Sequence, residues 1–440
     1  MNNNRILTLL FILLLSFPIA AETVTITLEE AVKQALDNSL NLKKSSIDLA
    51  QTEYSANRLW AEIFPGFSLR AGLDFLPRTP LFTNPGFSYK SDALSYSLSF
   101  GISLSLNPSL RSSMKNIELA YRTQLLRYEE ASNQLEIQVI KSFLDLKTKK
   151  ENIVNMEENL RVAEQQLEKN LIARANGLLN ELDLLNSRLS VETARYELSD
   201  TRNTYQNTLE EFLAVLGLET GTNIIFNGSI EIVPVSYDPE QLIQDYLPRR
   251  PDIIMQRQII ERLENSKNIT TLNSRSPRLD ISTTWNGGSA SGQGLGGKFT
   301  DNVSGSLTLT IPIDSWIPGT RQNQTIRAAN AEIEKARLDL QDTEILAKNK
   351  IRSLISNLQN IRESLEIAGL RLEIAGRTVE AADTGFRSGT VEFQELEKAR
   401  KDLADARQRL LQGEYNYQSL LLDLAAAINV DWKTLTRGLP

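Results

Sequence analysis

Two short stretches carry charged side chains at matched spacing beside a lone glycine. Residues 173–188 read ARANGLLNELDLLNSR, and residues 385–400 read GFRSGTVEFQELEKAR. Superposed at an offset of 212, Gly177 meets Gly389, Asp183 meets Glu395, Leu184 meets Leu396 and Arg188 meets Arg400. The chemistry open to such groups is narrow. The chain has no cysteine and no histidine, which removes thiolate nucleophiles, sulfur and imidazole metal ligands and the commonest general base. Carboxylates remain. They are abundant, as on any charged helix, yet none sits in a recognisable pocket motif, and the sequence contains no phosphate-binding loop. Neither catalysis nor a metal nor a cofactor is expected, so the work left to these residues is electrostatic. Glu395 and Lys398, three apart on one helix face, can pair for about 0.2–0.5 kcal/mol.

The rest of the chain must position these turns. At 440 residues it can bury a large core, or hold one unit written twice. The net charge of −7 argues against nucleic acid as a partner, because phosphate binding needs a basic face. Residues 1–21 combine Arg5, a short apolar run from Ile6 to Leu15, and small residues at Ala20 and Ala21. That is the pattern of a secretory signal cleaved after Ala20 or Ala21. No cysteine stands at the cleavage point to carry a lipid.

Helical periodicity dominates. From Ile326 through Ile333, Leu340, Ile351, Leu354, Leu358 and Leu365 to Phe386, apolar residues recur in sevens, then in alternating fours and threes. Leu135, Val139, Phe143, Leu146, Ile153, Met156 and Leu160 repeat the pattern in the first half. These are heptad seams. Each run covers roughly 60 residues, or about 90 Å of helix, and must lie against other long helices. Each ends at the glycine of its turn, after which a second helix returns, over 178–216 and 391–428. Shorter helices over 28–63 and 239–275 precede each half, stopped by Pro65 and Pro277. The expected organisation is a leader over 1–21, a first repeat over 22–220, a linker over 221–238, a second repeat over 239–430 and a tail over 431–440.

Four strands interrupt the helices. FSLRAGLDF (67–75) and LSYSLSFGISLSL (94–106) alternate apolar and polar without error, and 279–286 and 303–313 do so more loosely. Polar loops over 76–93 and 287–302 join each pair, and the second, rich in glycine and serine, is expected to be solvated and mobile. One reading is a half-buried sheet packed on helices. The narrow helical seams leave no broad apolar face to cover a sheet, which favours a transmembrane β-barrel. Four strands cannot close alone and an open edge is not tolerated in lipid, so several chains would be needed; three would supply twelve strands. Trp60 and Phe64 before the first strand, and Trp316 after the fourth, suit an interfacial girdle.

With these features the chain resembles the TolC family of outer-membrane efflux and secretion channels across residues 23–436. NGLLNELDLLNSR (176–188) and SGTVEFQELEKAR (388–400) resemble that family's two helical-tip motifs, and RRPDIIMQR (249–257) resembles a segment of its drug-efflux branch. The resemblance implies a mostly α, α+β membrane protein: a homotrimer with one 12-stranded β-barrel in outer-membrane lipid and a tapered α-barrel of helical hairpins in the periplasm. It implies a passive duct of a tripartite efflux or type I secretion system, with a periplasmic adaptor and an inner-membrane transporter as partners. It places Glu395 where the family has its first pore aspartate, Lys398 where it has the second, and Phe386 and Val391 where it has a gate tyrosine and arginine. Asp183 keeps the acid of the first tip. Gly177, Leu178, Gly389 and Thr390 become candidates for adaptor contact. The competing expectation is a periplasmic adaptor or other structural coiled-coil scaffold.

Overall fold

A computed structural model describes residues 23–76, 80–83, 86–89, 93–228, 237–289, 298–313 and 316–436. The expected leader over 1–21, the middle of the 287–302 loop, residues 229–236 of the linker over 221–238 and the last four residues of the tail lie outside them. Along the chain come β1 (Thr23–Thr27), α1 (Leu28–Asn38), α2 (Leu40–Ala56), β2 (Gly66–Leu76), β3 (Pro80–Thr83), β4 (Gly86–Tyr89), β5 (Ala93–Leu106), α3 (Leu110–Ala175), α4 (Glu181–Leu216), β6 (Asn223–Asn227), α5 (Pro239–Tyr246), α6 (Pro251–Arg275), β7 (Arg278–Ser289), β8 (Phe299–Thr310), α7 (Arg321–Ser388), α8 (Phe393–Ile428) and α9 (Trp432–Thr436). The mostly α, α+β composition read from the sequence is present. The chain divides into two compact units: residues 1–46, 127–251 and 344–440 form one, and residues 47–126 and 252–343 the other.

The first unit contains two antiparallel helical hairpins. In one, Val139, Phe143, Leu146, Ile153 and Met156 of α3 face Leu198, Tyr205, Leu209, Phe212 and Leu216 of α4. In the other, Ile351, Leu354 and Leu358 of α7 face Tyr417, Leu421, Leu424 and Ile428 of α8. Those of α3 and α7 are the heptad positions read from the sequence. Each fully buried side chain of this size contributes about 1.5–3 kcal/mol, so the seams, rather than helix propensity, hold helices of this length. A third contact places Leu422 of α8 on Ile140 and Leu144 of α3, which sets α8 beside the first hairpin.

Three local features differ from expectation. The helix expected over 28–63 breaks at Ser39, whose hydroxyl accepts from Leu42 N at 3.3 Å. The break lets Asn38 Nδ2 donate to Leu216 O at 2.7 Å, against Gly217, where any Cβ would meet Asn38. The helix expected over 239–275 breaks at Leu247–Arg249, because Pro248 and Pro251 cannot donate to the preceding turn. The segment read as a linker carries β6, which pairs in parallel with β1 and matches Ile26 to Phe226. That small sheet caps the first hairpin, with Phe226 edge-on to Phe143 at 5.1 Å. The tail carries α9, whose Leu435 is fully buried. Lys433 Nζ, 2.6 Å from Glu29 Oε1, ties that end to α1 and holds the Glu29 carboxyl below its ordinary range.

The second unit is built on an antiparallel sheet ordered β2-β5-β7-β8, with a separate β3–β4 hairpin inside the 76–93 loop. The principal strands are longer than the sequence suggested, except that β8 stops at Thr310. Its helices meet through polar groups rather than a heptad seam. Asn265 Nδ2 donates to Ser112 O at 2.6 Å and to Asn116 Oδ1 at 2.8 Å, and Asn268 Nδ2 donates to Ser112 Oγ at 2.9 Å. Lys115 pairs with Glu261 at 2.8 Å.

Candidate functional site: a two-faced sheet and two tip turns

The register of the four strands sorts their side chains cleanly. Leu69 lies opposite Phe100, Phe100 opposite Trp285, and Trp285 opposite Val303. One face is therefore apolar across all four strands. Within its unit no described element covers it: Leu69, Leu73, Val303 and Leu307 are 71%, 72%, 70% and 71% exposed. A sheet in water normally packs such a face on helices. The opposite face is a field of hydroxyls, with Ser97, Ser99, Ser103 and Ser105 on β5, Ser282 and Thr284 on β7, and Ser304 and Ser306 on β8. Ser282 and Ser306 hydroxyls lie 2.7 Å apart, and Ser105 donates to Asp280. β2 and β8 each have one neighbour, so the sheet has two unpaired edges among the described residues.

Aromatic rings mark both ends of the apolar face. At one end Trp60 meets Phe64 at 5.3 Å, Phe64 meets Phe67 at 5.9 Å and Phe67 meets Phe100 at 6.5 Å. At the other, Tyr96 stacks on Phe299 at 6.5 Å, while Trp285, level with Phe100, donates its Nε1–H to Asp301 Oδ2 at 3.1 Å. Such amphipathic rings suit the two borders of a lipid layer. The sequence reading had the first group, from Trp60 and Phe64. It missed the second, whose members come together only through the strand register. Among the described residues no helix is long and apolar enough to cross a membrane.

The two tip turns share one backbone. Gly177 and Gly389 both have φ 75°. Gly177 N donates to Arg174 O at 3.0 Å and Leu178 N to Ala173 O at 2.9 Å. Gly389 N donates to Phe386 O at 3.1 Å and Thr390 N to Gly385 O at 2.9 Å. This is the Schellman ending, which needs a left-handed residue and so favours glycine. Asn180 then caps α4, accepting from Asp183 N at 2.7 Å, whereas Glu392 at the matching position makes no side-chain cap.

Beneath the shared backbone the two tips are chemically unlike. The first buries polar groups: Gln166 Nε2 donates to Asn170 Oδ1 at 2.9 Å, and Asn170 Nδ2 donates to Ser187 Oγ. The second buries Ala382, Leu396 and Ala399, with Phe386 packed on Phe393 at 5.9 Å. Ala382 and Ala399 occupy the positions of Asn170 and Ser187 at the offset of 212.

The residues expected at the tips fall into three groups. Glu395 and Lys398 are both exposed, and among the described residues no ion pair joins them, so the expected pairing is absent. Their side chains end in water, where a lone pair gains little over hydration. Phe386 is a packing residue of its own hairpin. Leu178 is 79% exposed at the first apex, while the Thr390 hydroxyl donates back to Gly385 O at 3.1 Å.

A network that the sequence reading missed joins the two hairpins. Arg400 Nη1 lies 3.0 Å from Glu397 Oε1, and Arg400 Nη2 lies 3.6 Å from Asp383 Oδ1. Arg400 Nη2 also donates to Gln166 Oε1 on α3 at 3.3 Å, and Ser190 on α4 donates to Glu397 Oε2 at 2.6 Å. Asp383 also holds Arg387. The i, i+3 spacing of Glu397 and Arg400 was readable; their partners on α3, α4 and α7 were not. A groove of about 950 Å³ opens beside this network, lined by polar side chains that include Thr193 and Glu197 of α4 and Lys398 and Lys401 of α8. Among the described residues no cluster of acids is arranged to hold a metal ion.

Comparison with known proteins agrees with this geometry. A family model described as outer membrane efflux protein matches residues 31–218 and 242–430. No curated protein sequence matches the chain. Among solved structures, the outer-membrane channel OprN superposes with a TM-score of 0.75 at 15% identity, over 92% of this chain and 90% of its own. The outer membrane protein VceC of Vibrio cholerae gives 0.73 at 16% identity, over 92% and 96%. The CmeC outer membrane channel of Campylobacter jejuni gives 0.72 at 18% identity, over 93% and 88%. At these identities the superpositions establish the fold, while the family match covers both halves of the chain. The chain belongs to the outer membrane efflux protein family, and it is a passive channel of the outer membrane rather than an enzyme.

Proposed function

We propose that three copies join edge to edge, β8 of one against β2 of the next, into a twelve-stranded barrel. Its apolar band would meet outer-membrane lipid, and its hydroxyl face would line an aqueous bore. The observation that carries this reading is the uncovered apolar face together with the two unpaired edges, since strands persist in lipid only where every edge is closed. The helical hairpins would form a periplasmic α-barrel ending in the tip turns. An inner-membrane transporter would deliver substrate through a periplasmic adaptor seated on those turns. Residues 1–21 would be the export signal, and 22–220 and 239–430 the two repeats, joined by 221–238 and followed by the tail. An adaptor or coiled-coil scaffold, the competing reading, gives no account of a bare apolar sheet face.

Glu395 is assigned to the pore. It is exposed on α8, a helix that exposes no large apolar side chain. Three such carboxylates form a ring that favours cations. Lys398, one turn on, tempers the ring, and Asp183 and Phe386 border it from the first tip and the second hairpin. The purified protein should run in detergent at the mass of three chains and conduct in a planar bilayer. Glu395→Lys should lower the cation-to-anion permeability ratio severalfold. A one-chain mass would overturn the assembly, and an unchanged reversal potential would remove Glu395 from the pore.

Gly177, Leu178, Gly389 and Thr390 are assigned to adaptor contact. The glycines hold the turns, and the following residues form the apices. Leu178→Trp and Thr390→Trp avoid the strained glycine positions. Both should leave assembly intact and cut chemical crosslinking to the cognate adaptor at least tenfold. Undiminished crosslinking would leave these positions with a turn-forming role alone.

A further inference from the structure

We infer that Arg70 and its two counterparts form a belt in the barrel bore that attracts and holds small anions. The inference rests on the three-copy barrel proposed above and names a class of solute for it: compounds bearing carboxylate, phosphate or sulfonate groups. The hydroxyl face carries few charges. Along the four principal strands it holds Arg70 and Asp74 on β2 and Arg278 and Asp280 on β7, while β5 and β8 bring none to it. Arg278 and Asp280 neutralise one another at 2.9 Å, where Ser105 also donates to Asp280. Asp74 lies four residues along β2 from Arg70, a separation of about 13 Å. Arg70 is exposed, and among the described residues it makes no ion pair.

The register surrounds this arginine with neutral hydrogen-bonding groups. Arg70 lies opposite Ser99, Ser99 opposite Asn286 and Asn286 opposite Asn302. The adjoining pairs on the same face, Gly72 with Ser97 and Ser68 with Gly101, are small. A Cβ on Gly72 or Gly101 would lie 2.8 or 2.9 Å from the facing hydroxyl, so neither site admits a larger residue that could crowd Arg70. β2 is also an edge strand. Its neighbour in the assembly is β8, which offers this face only Thr300, Asn302, Ser304, Ser306, Thr308 and Thr310. The junction therefore supplies hydroxyls and amides but no carboxylate. A guanidinium keeps its charge at any working pH, and its planar fork matches carboxylate and phosphate. With no counter-ion from the protein, it draws one from solution.

Three-fold symmetry puts the three guanidinium groups at one height, whatever the stagger of the strands. Twelve strands about 4.8 Å apart and tilted by about 40° give a backbone radius of about 12 Å. An extended arginine then brings its charge within about 8 Å of the axis, which is one Debye length at physiological salt. The three fields overlap across the bore, whereas Asp74 lies beyond that length and is largely screened from them. Low-dielectric walls focus such a field onto passing solutes, and rings of arginine or lysine favour anions in pores. Glu395 belongs to the other compact unit, so the belt and the carboxylate ring are separate elements of the path.

The chain has no cysteine, so Ser99→Cys, opposite Arg70, places a single thiol per copy in the bore. Its reaction rates with the anionic 2-sulfonatoethyl and the cationic trimethylammonioethyl methanethiosulfonates report the local potential. In detergent-purified protein, adding Arg70→Ser should lower the sulfonate-to-ammonium rate ratio at least threefold, and Arg70→Lys should keep most of it. In a planar bilayer, citrate should reduce the current of the parent channel, and Arg70→Ser should weaken that block at least threefold. Suppose the native mass is three chains. An unchanged rate ratio then overturns the belt and leaves the barrel standing. So does a citrate block that is absent from the parent or undiminished in Arg70→Ser. A thiol at position 99 that reacts with neither reagent overturns the aqueous bore. A one-chain native mass overturns the three-copy assembly itself.

Discussion

Leu307→Arg is expected to abolish the detergent-resistant, heat-labile oligomer in outer membranes, whereas Ser306→Arg, one residue away, leaves it in place. Leu307 is mid-strand in β8, opposite Ile281, on the apolar face. A guanidinium at the middle of a bilayer costs about 2–4 kcal/mol in a barrel strand, and the cost recurs in each copy. A domain's whole stability is only about 5–15 kcal/mol, so this is a large fraction of what holds the barrel. Ser306 is turned to the other face, beside the Ser282 hydroxyl. An arginine there would reach water in the bore at the loss of one hydroxyl contact, about 0.5–1.5 kcal/mol. The measurement is the band of unheated, detergent-extracted protein on a gel. Equal loss in both variants, or equal survival, would mean that the two faces do not differ in what they meet.

This prediction could be written from sequence alone, and the reason is physical. In a strand the side-chain period is two, so LSYSLSFGISLSL declares its faces without reference to any neighbour. A heptad seam is legible in the same way, and Leu354, Leu358 and Phe143 are buried where the spacing places them. The tip glycines were legible because a left-handed helix ending has few other solutions. What escaped was information carried by pairs far apart in the chain. β1 and β6 are five residues each and gain meaning only from one another. The rim pair of Tyr96 and Phe299 exists because β7 holds β5 and β8 in one register. The polar ladder between Ser112, Asn116 and Asn265 has no apolar period to find. Resemblance drew attention to Glu395 and Lys398, yet the acid held in place is Glu397, two residues after the first and one before the second.

That acid leads to the second large effect. Arg400→Ala is expected to widen the tip and raise bilayer conductance. The guanidinium bridges Glu397 and Asp383, whose side chains are 23% and 25% exposed, and it also reaches Gln166 on the other hairpin. Removing it leaves Glu397 without an ion partner among the described residues and Asp383 with Arg387 alone, and frees the tip contact from α8 to α3. Hydrogen bonds to charged groups contribute about 1.5–3 kcal/mol each. Partial exposure reduces that, so the closed arrangement should lose about 1–2 kcal/mol, close to a tenfold change in its population relative to an open one. Arg400→Lys should recover part of the effect, since an ammonium can meet one carboxylate but cannot fork to three acceptors. Lys401→Ala, one residue later, exposed and without an ion partner among the described residues, should conduct like the parent. If Arg400→Ala and Lys401→Ala give the same current, the network does not restrain the hairpins. If Arg400→Ala alone is raised, Arg400 restrains the two halves of this duplicated chain at the tip, whereas Arg188, at the matching position of the first half, makes no ion pair among the described residues.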